Sequence, residues 1–269
     1  MQYKIKRQLV KSGSASIYVE IGYPKQTPAP AIIVTHGLRS YFPGFMDMFA
    51  KRLREEGYIT VKFHFIGTGK SSGKFEEKTT TALLQNYTDV LSYVKTLPEV
   101  RGIGVIGRSN AGTLAAIHGP DPAVKAYVML AAATYLSLVF GRFLKSAEVK
   151  GKFFYHKSYK RPHTKVQGRL PINFVTETKK YDSKILAGIK KLNPALYIQC
   201  TDDEAVLFSE KHMDYWKKHS PSPKKFIVIP GGSHSYKGHK RFVIEEGVKW
   251  FKRFLPIKIY EIKNKNNPI

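Results

Sequence analysis

Three short stretches carry residue types that could act together on a carbonyl group. Ser109 lies in Gly107-Arg108-Ser109-Asn110-Ala111-Gly112, after the apolar run Ile103 to Ile106 and before the small, apolar run Thr113 to Ile117. That order reads as strand, tight turn and helix, with the serine at the tip. A serine so placed takes a strained backbone conformation that needs small neighbours. Its hydroxyl then stands at a helix N-terminus, which favours developing negative charge. A hydroxyl is a poor nucleophile until a base takes its proton, and the base needs an acid to orient it. Thr201-Asp202-Asp203-Glu204-Ala205-Val206 offers an acid, and Pro230-Gly231-Gly232-Ser233-His234-Ser235 offers a base. Each follows a short strand pattern, Ala195 to Cys200 and Phe226 to Ile229, at the strand ends where open α/β sheets place their sites. Each residue also has a plainer reading: Ser109 or Asp203 as a helix N-cap, His234 as a surface loop histidine like His239.

The elements that must position these residues are legible in the hydropathy pattern. Tyr3 to Val10 and Ser16 to Ile21 alternate in part around Ser12-Gly13 and read as an antiparallel hairpin. Ala31 to Thr35 is a β-branched, buried strand that ends at His36-Gly37-Leu38. Phe45 to Glu56 and Thr80 to Leu97 have helical spacing, with the strand Tyr58 to Phe65 and a flexible loop, Gly67 to Gly73, between them. Ala123 to Ala131 is a further strand. Ser209 to His219 and Phe242 to Phe254 read as helices, and the tail from Lys263 to Ile269 as mobile. A hairpin followed by βα units implies a mostly parallel sheet of eight strands with helices on both faces.

Between Thr134 and Lys191 the alternation breaks. The segment is basic, aromatic and irregular, and it reads as an insertion over the sheet. The division is therefore residues 1–133 and 194–269 as core and 134–193 as a cap. Phe140, Phe143, Phe153, Phe154, Tyr155 and Tyr159 either line an aromatic acyl pocket or form the cap's own small core.

Composition bounds the rest. There are 45 Lys and Arg against 20 Asp and Glu, and a net charge of +25. This suits anionic partners, yet no zinc-ligand spacing, basic zipper or RNA-binding signature accompanies it. No specific nucleic acid, metal or cofactor is expected. One cysteine, Cys200, excludes an intrachain disulfide and suits a reducing compartment. The first residues are charged where a signal peptide needs an apolar centre, and the longest nearly apolar run, Ala126 to Phe140, is short for a membrane span. A cytoplasmic location is expected; a homodimer is compatible. Two rival motifs fall away. Gly102 to Gly107 fits G-x-G-x-x-G but lies on a strand rather than after one. Gly69-Lys70-Ser71 ends like a P-loop, but His64 stands where its first glycine is required.

The stretch around Ser109 resembles the nucleophile elbow of the α/β-hydrolases, G-x-S-x-G, with Ala111 in place of the last glycine. TDDEAV is similar to that family's acid loop, G-T-x-D-x-x-V, with Cys200 where glycine is usual. The alignment puts the acid at Asp203, with Asp202 as the alternative. GGSHSY resembles the histidine loop and gives His234. His36-Gly37 resembles the H-G of the oxyanion loop, which implies the backbone N–H groups of Leu38 and Asn110 as oxyanion donors; plain loop geometry is their other reading. Phe63 to Ser71 resembles F-D-x-x-G-x-G-x-S, with His64 replacing the acidic residue. Continued into Ser72-Gly73-Lys74-Phe75, it is most similar to the cinnamoyl/feruloyl-type carboxylesterases and the serine aminopeptidase-like hydrolases. The resemblance covers Ala31 to Ala131 and Pro194 to Phe254. It implies the α/β-hydrolase fold and a serine esterase acting on a small-molecule ester; the insertion's aromatic residues and the net positive charge suit an aromatic or anionic one. An aminopeptidase or acyltransferase on the same triad, or a basic non-catalytic binding protein on this fold, are the alternatives.

Overall fold

The computed structural model describes residues 3–38, 44–155 and 169–257. A hairpin comes first, β1 (Ile5–Ser12) and β2 (Ala15–Gly22), turning through Gly13 at a φ of 58°. Strands and helices then alternate: β3 (Ala29–Thr35), α1 (Phe45–Glu55), β4 (Ile59–Phe63), α2 (Thr80–Lys95), β5 (Val100–Arg108), α3 (Asn110–His118) and β6 (Val124–Leu130). After α4 (Leu136–Lys145) come three short strands, β7 (Glu148–Lys150), β8 (Phe153–Tyr155) and β9 (Arg169–Pro171). The chain continues with α5 (Ile172–Ile189), β10 (Ala195–Cys200), α6 (His212–His219), β11 (Lys224–Ile229) and α7 (Lys240–Phe254).

Eight of the described strands form one sheet in the order β1-β2-β4-β3-β5-β6-β10-β11. The hairpin joins it antiparallel, through β2 on β4, and every later pairing is parallel. Parallel strands must be covered on both faces, which is why β3 and β10 are buried at every residue. On one face Ile33, Val61, Val105 and Tyr197 pack with α2, α3, α5 and α6. On the other, Ile32, Val34, Ile106 and Ile198 pack with α1 and α7. Alternate residues of the same strands thus feed two cores.

Three expectations need correcting. The segment read as irregular holds the 18-residue helix α5, whose Phe174, Val175, Thr178, Tyr181, Ile185 and Ile189 form one buried stripe. Thr178 and Gly188 interrupt the apolar pattern but belong to its buried face. At Gly188 the helix touches the backbone of α3: a Cβ there would lie 1.8 Å from the Ala116 carbonyl oxygen. The helix expected over Ser209 to His219 is broken by Lys211, left-handed at φ 53°, which separates a 3-10 turn, Phe208–Glu210, from α6. The loop read as flexible, Gly67 to Gly73, is tied to β2: the Ser72 and Ser71 hydroxyls accept the N–H groups of Ser16 and Tyr18 at 2.8 and 2.9 Å. Of the aromatic residues of that segment, Phe140 and Phe154 take the core reading: both are buried and continuous with the main core, with the Phe140 ring 4.7 Å from that of Phe174. Tyr159 and the tail lie outside the described residues. The G-x-G-x-x-G run falls within β5.

Among the described residues no helix is long and apolar enough to cross a membrane. Because α5 rides on α3 at zero side-chain thickness, Gly188→Ala is expected to lower the unfolding free energy by about 2 kcal/mol or more, read from the midpoint of chemical denaturation. An unchanged midpoint would mean the two helices do not touch there.

Candidate active site

Ser109 ends the turn from β5 into α3 with φ 55° and ψ −129°. A serine held this way costs about 1–3 kcal/mol and persists only where the surroundings over-determine it. Two contacts do so. The Ser109 N–H donates to the Leu130 carbonyl at 2.7 Å, tying the turn to β6. The chain then folds back so tightly that a Cβ on Gly107 would lie 2.3 Å from the Gly112 Cα, and one on Gly112 2.7 Å from the Gly107 oxygen. Ala111, between them, is fully buried in the core, so its methyl has a place. Ser109 occupies the N-cap position of α3, yet its side chain caps nothing. The plainer reading of this serine therefore fails.

The strands place the other loops beside it. Thr35 pairs with Gly107, so the loop His36-Gly37-Leu38 leaves the sheet next to the elbow. β10 and β11 are parallel to β5, and their following loops open on the same edge. There the imidazole of His234 donates from Nδ1 to Asp203 Oδ2 at 2.9 Å. Asp203 is fully buried, and its other oxygen, Oδ1, accepts the N–H groups of Ala205 and Val206 at 2.9 and 2.7 Å. Its cap-like role and its bond to the imidazole thus use separate oxygens. Asp202 instead accepts the Thr201 hydroxyl at 2.8 Å. With Nδ1 occupied as donor, the lone pair of His234 is on Nε2. No hydrogen bond joins Ser109 Oγ to the imidazole among the described residues; such bonds commonly tighten only when substrate binds.

Several residues besides these three hold this arrangement. Arg108, beside the serine, donates from Nη2 to the His234 carbonyl at 3.0 Å, joining the elbow to the histidine loop. Glu204 accepts the His234 N–H at 2.9 Å. Tyr236, left-handed at φ 54° and fully buried, donates its hydroxyl to the Ile198 carbonyl at 2.8 Å. Cys200 lies under the same loop, where a Cβ on Gly232 would lie 2.5 Å from its Sγ. Burial and the neighbouring Asp203 push its thiol up to about 12, so it stays protonated and unreactive. Below the acid loop, His212 Nε2 meets Glu210 Oε2 at 2.9 Å, and Arg142 of α4 reaches Glu210 and the Ala205 carbonyl. Apart from Tyr236, which fits the histidine-loop pattern, these partners follow no spacing rule.

Leu38 and Asn110 follow adjacent strands, since Thr35 of β3 pairs with Gly107 of β5. Asn110 begins α3, so its N–H has no acceptor within the helix. The Gly37 carbonyl accepts His36 Nδ1 at 2.8 Å. In a trans peptide the N–H points opposite the C=O, so this bond turns the Leu38 N–H away from His36. Burial, aided by the charges of Lys78, His64 and Arg108, lowers His36 to about 3, so it remains a neutral donor. His64 is also buried and lowered to about 4, mainly by burial, and Gly69 packs against its ring. Lys78 is fully buried beside the Leu38 carbonyl. Among the described residues no group of three or more His, Cys, Asp or Glu could hold a metal ion.

No protein-family model matches the chain, and no curated protein matches its sequence. Solved structures do match. Est1E from Butyrivibrio proteoclasticus with ferulic acid bound is 21% identical, with a TM-score of 0.75 over 92% of this chain and 99% of that one. The α/β hydrolase GrgF from Penicillium sp. sh18 is 14% identical, with a TM-score of 0.73 over 95% and 99%. The esterase domain of a Rhodothermus marinus protein is 19% identical, with a TM-score of 0.69 over 94% and 99%. At these identities the likeness is one of fold. The chain has the α/β-hydrolase fold, and its structural neighbours are hydrolases that include esterases.

The Tyr236 hydroxyl anchors the histidine loop to β10. Tyr236→Phe is expected to cost about 1 kcal/mol in unfolding free energy, measured by urea denaturation. No change would show that this bond does not hold the loop.

Proposed function

We propose that the chain is a serine hydrolase that cleaves carboxylic esters through an acyl-enzyme, with Ser109 as nucleophile, His234 as base and Asp203 as its orienting acid. One observation carries the reading: the Asp203–His234 hydrogen bond opens on the same sheet edge as a strained serine whose hydroxyl does not cap the helix it begins.

Ser109 Oγ attacks the ester carbonyl carbon while its proton passes to His234 Nε2. Asp203 stabilises the imidazolium through Nδ1–H. The carbonyl oxygen becomes an oxyanion and accepts the N–H groups of Leu38 and Asn110, as the first turn of α3 also favours. The C–O bond then breaks, and His234 returns the proton to the departing alkoxide, which leaves as alcohol. Water, deprotonated by His234, attacks the acyl-enzyme, and the acid is released with Ser109 restored.

Esters of aromatic acids are the substrates proposed first, since a structural neighbour was solved with ferulic acid bound. The segment 134–193 acts in this reading as a cap. Arg142, at its first helix, bonds the acid loop and so links the cap to the triad.

The kinetic test uses p-nitrophenyl and hydroxycinnamoyl esters. Ser109→Ala is expected to lower kcat at least about 10³-fold and Asp203→Asn about 10²–10⁴-fold. Asp202→Asn should stay close to wild type. Undiminished turnover in Ser109→Ala would remove the serine from the mechanism.

A further inference from the structure

Lys78 sits one residue before Thr79, the N-cap of α2, whose hydroxyl accepts the Ala82 N–H. Its side chain turns inward and is fully buried. Nζ donates to the Leu38 carbonyl at 3.1 Å and to Thr68 Oγ1 at 2.5 Å, and it lies 4.0 Å from the centroid of the Phe75 ring. An ammonium has three protons, and here it meets two oxygen acceptors and the negative face of an aromatic ring. No carboxylate is among these partners. A buried charge without a counter-ion is costly, and a neutral side chain could fill the same space more cheaply. The charge is instead spent on the one loop that carries Leu38.

We propose that Lys78 is a positioning residue for oxyanion stabilisation: its buried ammonium clamps the Leu38 carbonyl to the pinned loop at Thr68 and so fixes the Leu38 N–H toward the reacting carbonyl. This rests on the hydrolase reading above and names a residue that reading does not need. The clamp has two sides. His36 grips the peptide before Leu38 through the Gly37 oxygen, and Lys78 grips the peptide after it. Thr68 is a firm anchor, because its loop is bonded to β2 through Ser71 and Ser72. The ammonium also places positive charge behind the site where negative charge develops.

Among the described residues, the charged and titratable groups facing Lys78 are His36 from the end of β3 and His64 from the end of β4, with Arg108 acting on His36 from β5. Both histidines are held neutral at ordinary pH. Burial lowers Lys78 itself from 10.5 to about 7. Its proton is therefore lost near neutrality in the folded protein and only much higher in the unfolded chain. Two consequences have opposite sign. As pH rises through about 7 the grip on Leu38 weakens and kcat falls. Over the same rise, up to about 10.5, the unfolded chain binds the extra proton, so this group's contribution to stability increases.

The experiment compares wild type, Lys78→Met and Thr68→Val with p-nitrophenyl acetate across pH, with denaturation midpoints measured alongside. Below neutral pH, Lys78→Met is expected to lose about 10–100-fold in kcat with KM changed little, and its kcat should lack the decline above about pH 7. Its stability should also lose the rise with pH that wild type shows. Thr68→Val keeps the charge but removes an acceptor, so its decline should begin at lower pH; this second variant decides the matter if Lys78→Met does not fold. Undiminished kcat in folded Lys78→Met, or a decline that neither variant moves, overturns the proposal while leaving the hydrolase reading intact. Turnover that survives Ser109→Ala overturns both.

Discussion

Everything at the candidate site depends on how closely the chain can approach itself at one turn. Gly107 and Gly112 lie so near each other that neither can carry a side chain, and the serine between them is forced to φ 55°. The strain in that residue is offset by the packing of β5, β6 and α3 around it, in which Leu130 supplies the bond to the Ser109 N–H. A relaxed turn would let the hydroxyl fall back to cap its helix. The fold prevents that, and the hydroxyl is left without a capping bond at the start of α3.

The remaining groups converge because a parallel sheet ends all its strands in the same direction. Loops distant in sequence then share one edge. On the acid side, the carboxylate of Asp203 is buried but saturated, with backbone N–H groups on one oxygen and the imidazole on the other. On the side of the proposed oxyanion position the buried groups are His36, His64 and Lys78, with no acid bonded to Lys78 among the described residues. Below neutral pH, where Lys78 keeps its proton and the two histidines are neutral, the site thus has a polarity, negative behind the base and positive, through Lys78 alone, behind the proposed oxyanion position. That polarity matches the charge separation of acyl transfer, in which imidazolium and oxyanion form together.

Much of this could be read from residue order. The buried strands announced themselves as β-branched runs, and the loops after them carried small residues followed by Asp or His. The choice between Asp202 and Asp203 rests on alignment; in the structure it is the Asp203 carboxylate that bonds His234. Helix α5 was missed because its buried stripe runs through Thr178 and Gly188, which carry no hydrophobic signal; close packing on α3, not apolarity, selects the glycine. Two departures from the hydrolase pattern have local explanations: Ala111 fits a core pocket, and Cys200 supports Gly232 from below. Lys78 was invisible. A lysine beside a helix cap in a chain of this charge looks solvated, and only the fold turns it inward.

The central claim is that the strained serine is a nucleophile activated by the Asp203–His234 pair. The most direct measurement is mass spectrometry of the protein after reaction with a fluorophosphonate, followed by peptide mapping. The account requires a single adduct on Ser109, formed quickly in the wild type and severely slowed when His234 is replaced by alanine. An adduct on another residue, or an unreactive Ser109 in folded protein, would contradict it.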